Sequence, residues 1–229
     1  MCGRYVHPDQ AAVERGWHIG RHNSGPFTTR YNVTPTLRVP ILRWDTALGA
    51  FELTQAHWGF IPPWWKESKP PRHTINARTE EIATKPMWRG PFRQSRCLLP
   101  ALGWYEWQPR AHIDPATGEV ASFKQPYFIR PVQGGLIAFA GLYSERGAGD
   151  HAGSCTILTR ASEGAVSAVH DRMPVVLDDA GMQCWGDPAL KDPQSLMSAH
   201  ARLDFTCIPV STRVNQRGNE GESLIQALA

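Results

Sequence analysis

Apolar residues along this chain fall mostly in short runs rich in β-branched and aromatic side chains, bounded by Gly, Pro or Asp, which is the mark of strands. Such runs are Val39–Arg43, Phe51–Phe60, Arg96–Trp107, Tyr127–Arg130, Leu136–Tyr143, Cys155–Thr159 and Cys207–Val210. Helical spacing is weaker and confined to Pro8–Gly16, Glu163–His170, Asp178–Trp185 and Pro193–Leu203. The pattern predicts an α+β fold with a mostly antiparallel, barrel-like sheet. Between two strands, Arg110–Gln125 contains Asp114-Pro115-Ala116-Thr117-Gly118, a turn signal that makes this segment a hairpin excursion. Neither a repeat nor a linker interrupts the pattern, so residues 1–229 read as one domain. One stretch fits neither period: Trp64-Trp65 sits among Pro62, Pro63, Lys66 and Lys69. Neighbouring side chains in extended backbone point opposite ways, so at least one of these rings should meet solvent.

Composition narrows the classes. With 41% hydrophobic, 10% aromatic and 20% charged residues, the chain can bury a sizeable core, which excludes disorder, collagen and a disulfide-stapled scaffold. Its longest apolar run, Leu136–Tyr143, falls far short of the ~18 residues of a membrane helix. Arg4, His7, Pro8 and Asp9 interrupt any secretory leader, and a cytoplasmic location is expected. Cysteines 2, 97, 155, 184 and 207 show no metal-ligand or CxxC spacing, so neither a metal nor a disulfide framework is expected. Cys97, Cys155, Cys184 and Cys207 read as buried fillers. The net charge of +3 hides an asymmetry, because residues 1–110 carry 15 Lys/Arg against 8 Asp/Glu and eight of the nine Trp. Cations for phosphates and flat rings for unpaired bases are what single-stranded nucleic acid requires. Composition alone favours the plainer reading, Trp in the core and arginines in solvent.

Cys2 follows the initiator Met, and removal of Met1 would leave a cysteine with a free α-amine. No internal cysteine offers this 1,2-aminothiol, whose amine and thiol are both partly nucleophilic near neutrality. An aldehyde meeting the pair forms an imine, which the sulfur closes to a five-membered thiazolidine. Glu106 lies within an apolar Trp-Tyr-Glu-Trp run, where a carboxylate must find a partner or accept a raised pKa. Its bland alternative is an outward position on an alternating strand. His170, before Asp171-Arg172, is either a proton-transfer group or a locally satisfied element end. Asn76 could simply serve a turn, although its neighbours Ile75 and Ala77 argue against a solvent loop.

Six motifs in order, Cys2-Gly3-Arg4-Tyr5, Arg30-Tyr31-Asn32-Val33-Thr34-Pro35, Trp58-Gly59-Phe60-Ile61-Pro62, Asn76-Ala77-Arg78-Thr79-Glu80, Gly103-Trp104-Tyr105-Glu106-Trp107 and His170-Asp171-Arg172-Met173-Pro174, resemble the SRAP family. These are the SOS-response-associated peptidase-like proteins, which shield abasic sites. The resemblance implies a β-barrel-like core flanked by helices and a positively charged channel for single-stranded DNA, single–double junctions included. It implies that mature Cys2 forms a thiazolidine with the ring-opened aldehyde of an abasic deoxyribose. By motif, Asn76 orients the cysteine, Glu106 shuttles protons and His170 sits against the sugar oxygen. Arg4 and Arg78 hold phosphates, Trp64-Trp65 wedges at the DNA, and Thr159 matches a polar site position. No cofactor is implied, and the chain is expected to act as a monomer, associated with the nucleoid when on DNA.

Three segments depart from the family pattern: the longer loop around Glu67-Ser68-Lys69, the extended Arg110–Gln125 excursion, and a shortened Val214–Asn219 whose asparagines receive no role. Two other functions compete. An N-terminal-nucleophile amidohydrolase, such as a glutamine amidotransferase, also exposes a mature Cys-Gly start, with the α-amine as base. A non-enzymatic single-stranded DNA binding module would use Trp64, Trp65 and the arginines and leave Cys2 idle.

Overall fold

The computed structural model describes residues 2–17, 19–22, 25–67, 70–113, 120–147, 153–187, 189–190 and 192–228. Its strands, in chain order, are β1 (Tyr5–His7), β2 (Ile19–His22), β3 (Arg30–Val33), β4 (Arg38–Asp45), β5 (Ala50–Trp58), β6 (Asn76–Arg78), β7 (Arg96–Ala101), β8 (Gly103–Ile113), β9 (Val120–Pro131), β10 (Ile137–Ser144), β11 (Ser154–Ala161), β12 (Arg172–Pro174) and β13 (Phe205–Pro209). Four α-helices accompany them: α1 (Gln10–Gly16), α2 (Pro86–Gln94), α3 (Asp179–Gly186) and α4 (Pro193–Ala199). The fold is α+β, as the sequence pattern predicts.

One sheet runs β13-β9-β8-β1-β3, and a larger one runs β12-β11-β10-β7-β4-β5-β2, with β6 alongside β11. Most neighbours are antiparallel; β2 with β5, β6 with β11 and a short contact of β11 with β5 are parallel. That last pairing, Ser154 beside His57 and Cys155 beside Trp58, links the two ends of the run β11-β10-β7-β4-β5.

Strand alternation sorts the core. On β7, Cys97 and Leu99 join Ile41, Phe139 and Ile157 in a cluster shared with Tyr5, Val33, Trp104 and Ile129 of the smaller sheet. Leu98 faces the other way, with Leu42, Ala140 and Leu158, into a cluster that the helices cover with Val13, Trp88, Phe92, Trp185 and Leu196. The far face of the smaller sheet carries Val6, Tyr105 and Phe128, closed over by Val210 and Val214 of the C-terminal segment. Cys2 belongs to the first cluster and is fully buried.

Particular expectations need correction. Arg96–Trp107 is two strands in different sheets, because the chain turns at Leu102. Helix α2 was hidden by Pro91 within it, yet Pro86 supplies a favourable first residue and Trp88 and Phe92, four apart, bury one face. Glu163–His170 forms only a 3-10 turn over Gly164–Ala168. Cys184 is exposed and Cys207 half-buried, so neither is the core filler expected; Cys97 and Cys155 are. The hairpin is seen through the Ile113–Val120 pair, while its turn and Ser68-Lys69 lie outside the described residues. No described helix is long and apolar enough to cross a membrane.

Candidate active site

Cys2 sits where the two sheets meet. Strand β6, parallel to β11 with Asn76 beside Ile157, holds Asn76 almost fully buried. Its Nδ2 donates to the Cys2 carbonyl at 2.9 Å, while its Oδ1 has no hydrogen-bond partner among the described residues. Burial pushes the Cys2 thiol well above the usual range, and the nearby Glu106 charge pushes in the same direction. A hydrogen bond from the Arg4 backbone N–H acts the other way. Cys2 is therefore a neutral thiol that needs a base before it can attack.

Strand β8 supplies the candidate base. Its Tyr105 N–H donates to the Arg4 carbonyl, and Tyr105 turns to the outer cluster, so alternation sends Glu106 inward on the side of Cys2. Glu106 is only 2% exposed. Burial raises its carboxyl to about 7, with Asp171 adding to the rise. This is the raised pKa that the apolar run around it predicts.

His170 follows the 3-10 turn, held by its N–H to the Val166 carbonyl at 3.0 Å and by Ser162 Oγ donating to its own carbonyl at 2.6 Å. Its Nδ1 lies 2.9 Å from the Arg172 backbone N–H and also 2.9 Å from Asp171 Oδ1. The two contacts ask for opposite tautomers. The amide can only donate, and Asp171 is 85% exposed to competing water, so the geometry favours a proton on Nε2. Nε2 then faces Glu106 Oε2 across 3.7 Å. Burial depresses the His170 pKa, leaving a neutral imidazole beside a carboxyl that titrates near neutrality.

Glu106 and His170 open onto a cavity of about 440 Å³ lined also by Arg4, Trp107, Lys124 and Asn215. Arg4 is fixed in the wall: its Nη1 donates to the Val214 carbonyl and, at 3.2 Å, to Asn32 Oδ1, and its guanidinium lies 5.7 Å from the Trp107 ring centre. Asn32 Nδ2 in turn donates to the carbonyls of Val214, Gln216 and Asn219 at 3.3, 3.0 and 2.9 Å. Trp107 Nε1 donates to Asn215 Oδ1 at 2.8 Å. The C-terminal segment is thus strapped over the site by side chains from β3 and β8. Among the described residues no group of His, Cys, Asp and Glu is arranged to hold a metal.

Of the expected site residues, the fold gathers Cys2, Asn76, Glu106 and His170 and places Arg4 in the cavity wall. The others are not among the lining residues. Arg78 is exposed at the end of β6. Beside it in register, Thr159 is buried and receives Arg172 Nη2 at its carbonyl, 2.7 Å away. Trp64 is 56% exposed and Trp65 half-buried, with ring centres 6.1 Å apart, which meets the expectation of one wet ring. Sequence reasoning missed Trp107, Lys124 and Asn215 as lining groups, and Asn32 as anchor of the strap. Asn32 stood within a quoted motif; the sign of Lys124 was its place on the Trp107 face of the hairpin.

A buried cysteine at position 2 with the Asn76 amide on its carbonyl, and Glu106 facing His170 nearby, mark the candidate site of this α+β protein. The chain belongs to the SOS response associated peptidase (SRAP) family, whose model matches residues 1–217. It is 35% identical over 234 residues to the abasic site processing protein YoqW of Bacillus subtilis (strain 168), covering 99% of this chain and 100% of that one. It is 33% identical to abasic site processing protein YedK of Escherichia coli (strain K12), over 86% and 84% of the two chains. Among solved structures, a phage-related protein of Bordetella bronchiseptica matches at 30% identity and TM-score 0.69, over 91% and 94%. A Bacteroides thetaiotaomicron protein shares the fold at 20% identity, TM-score 0.78 and full coverage of both chains.

Proposed function

We propose that this chain processes abasic sites in single-stranded DNA, including those at single–double strand junctions, by crosslinking itself to them through Cys2. Removal of Met1 frees the α-amine, which attacks the C1′ aldehyde of the ring-opened sugar. The resulting carbinolamine loses water to an imine. The thiol then adds across the C=N bond: a C–S bond forms, and the sulfur's proton ends on nitrogen. One water is released overall and nothing is oxidised. Glu106 gives a proton to the departing hydroxyl and takes one from the thiol, a cycle suited to a carboxyl that titrates at about 7. His170 serves the sugar oxygen during ring opening and closure, and Asn76 holds the Cys2 backbone so that amine and sulfur reach the same carbon. Arg4, Arg78, Trp64, Trp65 and Thr159 take the DNA contacts that the family motifs imply, and the β11–β5 pairing supports the barrel-like reading of the core. In this reading the protein is a cytoplasmic monomer of one domain, residues 1–229, and the family's peptidase name reflects removal of its own Met1.

The observation that carries the reading is that buried Cys2, held by Asn76, lies within electrostatic reach of Glu106, which with His170 lines one cavity. The test is incubation with single-stranded DNA holding one abasic site, followed by a denaturing gel. A shifted band from the wild type, absent with intact DNA and absent from Cys2→Ser, is expected. Hydrolysis of labelled glutamine with no shifted band would instead place the chain among the amidohydrolases.

A further inference from the structure

The register of the β8–β9 hairpin pairs Trp107 with Pro126 and Pro109 with Lys124. Side chains of directly paired residues share a face, and so do those two apart along a strand, so Lys124 stands on the Trp107 face as its diagonal neighbour. There Lys124 and Arg4 both line the cavity. The two cations differ in what already holds them. Arg4 is half-buried and committed through Nη1 to Val214 and Asn32. Lys124 is exposed, and among the described residues it has no hydrogen bond or ion pair. Its ammonium therefore gives up no existing partner on binding an anion, and the flexible stem lets it follow one.

We propose that Lys124 is a phosphate-binding residue of the DNA site, completing with Arg4 a two-cation clamp on the strand where it enters the cavity. This rests on the reading of the chain as a single-strand DNA protein. Lys124 acts on binding and leaves the chemistry to Cys2 and Glu106. A phosphate held there lies over Trp107, next to the mouth through which the sugar must reach Glu106 and His170. The contact is to the backbone, so it carries no base preference.

The test uses full-length protein and a labelled single-stranded oligonucleotide carrying a tetrahydrofuran abasic analogue, which has no aldehyde and binds without crosslinking. Affinity is measured by anisotropy across a salt series for wild type, Lys124→Ala, Lys124→Arg and, as a control of equal charge loss, Arg15→Ala on α1. Lys124→Ala should bind more weakly on every sequence and show a log K against log salt slope shallower by about 0.7, one phosphate contact on a single strand. Lys124→Arg should restore both, and Arg15→Ala should match wild type. With aldehyde-bearing DNA, Lys124→Ala should need more DNA to reach the same saturating crosslinking rate. An unchanged slope and affinity in Lys124→Ala overturns the clamp, as does a loss that Arg15→Ala reproduces. Absence of any covalent adduct from wild type would overturn the crosslinking reading instead, and the salt slopes would still decide the role of Lys124.

Discussion

Two buried glutamates in this molecule have met opposite fates. Glu52 on β5 is 3% exposed and Glu106 on β8 is 2% exposed. Glu52 is in direct contact with the Arg43 guanidinium, which also reaches Glu145 at 2.6 Å and lies 5.3 Å from the Tyr143 ring centre. The basic side chain beside Glu106 is an imidazole, 3.7 Å away and itself held neutral by burial. The Arg43 guanidinium holds Glu52 in an ion pair, whereas Glu106 meets an imidazole and the pull of the α-ammonium, and burial outweighs that pull and carries the carboxyl to about 7. Burial alone does not mark a functional acid. The kind of partner does.

Substitutions at the two glutamates can break or sharpen that contrast. The largest effect should come from Glu106→Gln, which keeps the shape and removes the titrating group: crosslinking slows by roughly 10²–10⁴-fold with little change in DNA affinity. A time course on abasic single-stranded DNA, with anisotropy on the same samples, checks both. Next comes stability against pH. The folded chain keeps the Glu106 proton up to about pH 7, while the unfolded chain releases it near 4.5. Stability therefore falls as pH rises through that window, by about 3 kcal/mol, and Glu106→Gln lacks this loss. Urea unfolding of both proteins at pH 4.5, 6 and 7.5 measures the difference. The smallest effect belongs to the other glutamate. Arg43→Ala removes the guanidinium from the buried Glu52 and should cost about 2 kcal/mol, below the range for a fully buried pair because Arg43 is partly exposed and admits water. Its saturating crosslinking rate should equal that of wild type, which sets a structural carboxylate apart from a chemical one.

The sequence made some of this contrast legible. Strand stretches were readable in short runs of β-branched and aromatic residues, whereas the apolar run around Glu106 left open whether its carboxyl is buried or faces outward, and only the motif match tipped it. Arg43 beside Glu52 was not readable, because the two meet across a strand pair whose register is set by the whole β4–β5 hairpin. Short strands such as β1, β3, β6 and β12 carry too few residues for a period to show. They form because neighbouring strands offer edges. The motif residues Cys2, Asn76, Glu106 and His170 are spread over 169 positions of sequence, and only the packing of two sheets brings them to one place. The strap residues Asn32 and Asn215 escaped notice for a related reason. Asparagine has no signature of its own, and the role of each depends on a partner far along the chain: Asn32 on carbonyls of the C-terminal segment, Asn215 on the Trp107 indole N–H.

The central claim is that mature Cys2 carries the reaction with its amine and its sulfur together. Intact-mass and N-terminal peptide analysis of the protein after incubation with abasic single-stranded DNA tests it most directly. The account predicts loss of Met1, and an adduct on the Cys2 peptide that is lighter by one water than peptide plus DNA, resists thiol alkylation and does not form on Cys2→Ser. An adduct on a chain that retains Met1, or an equally stable one on Cys2→Ser, would contradict it.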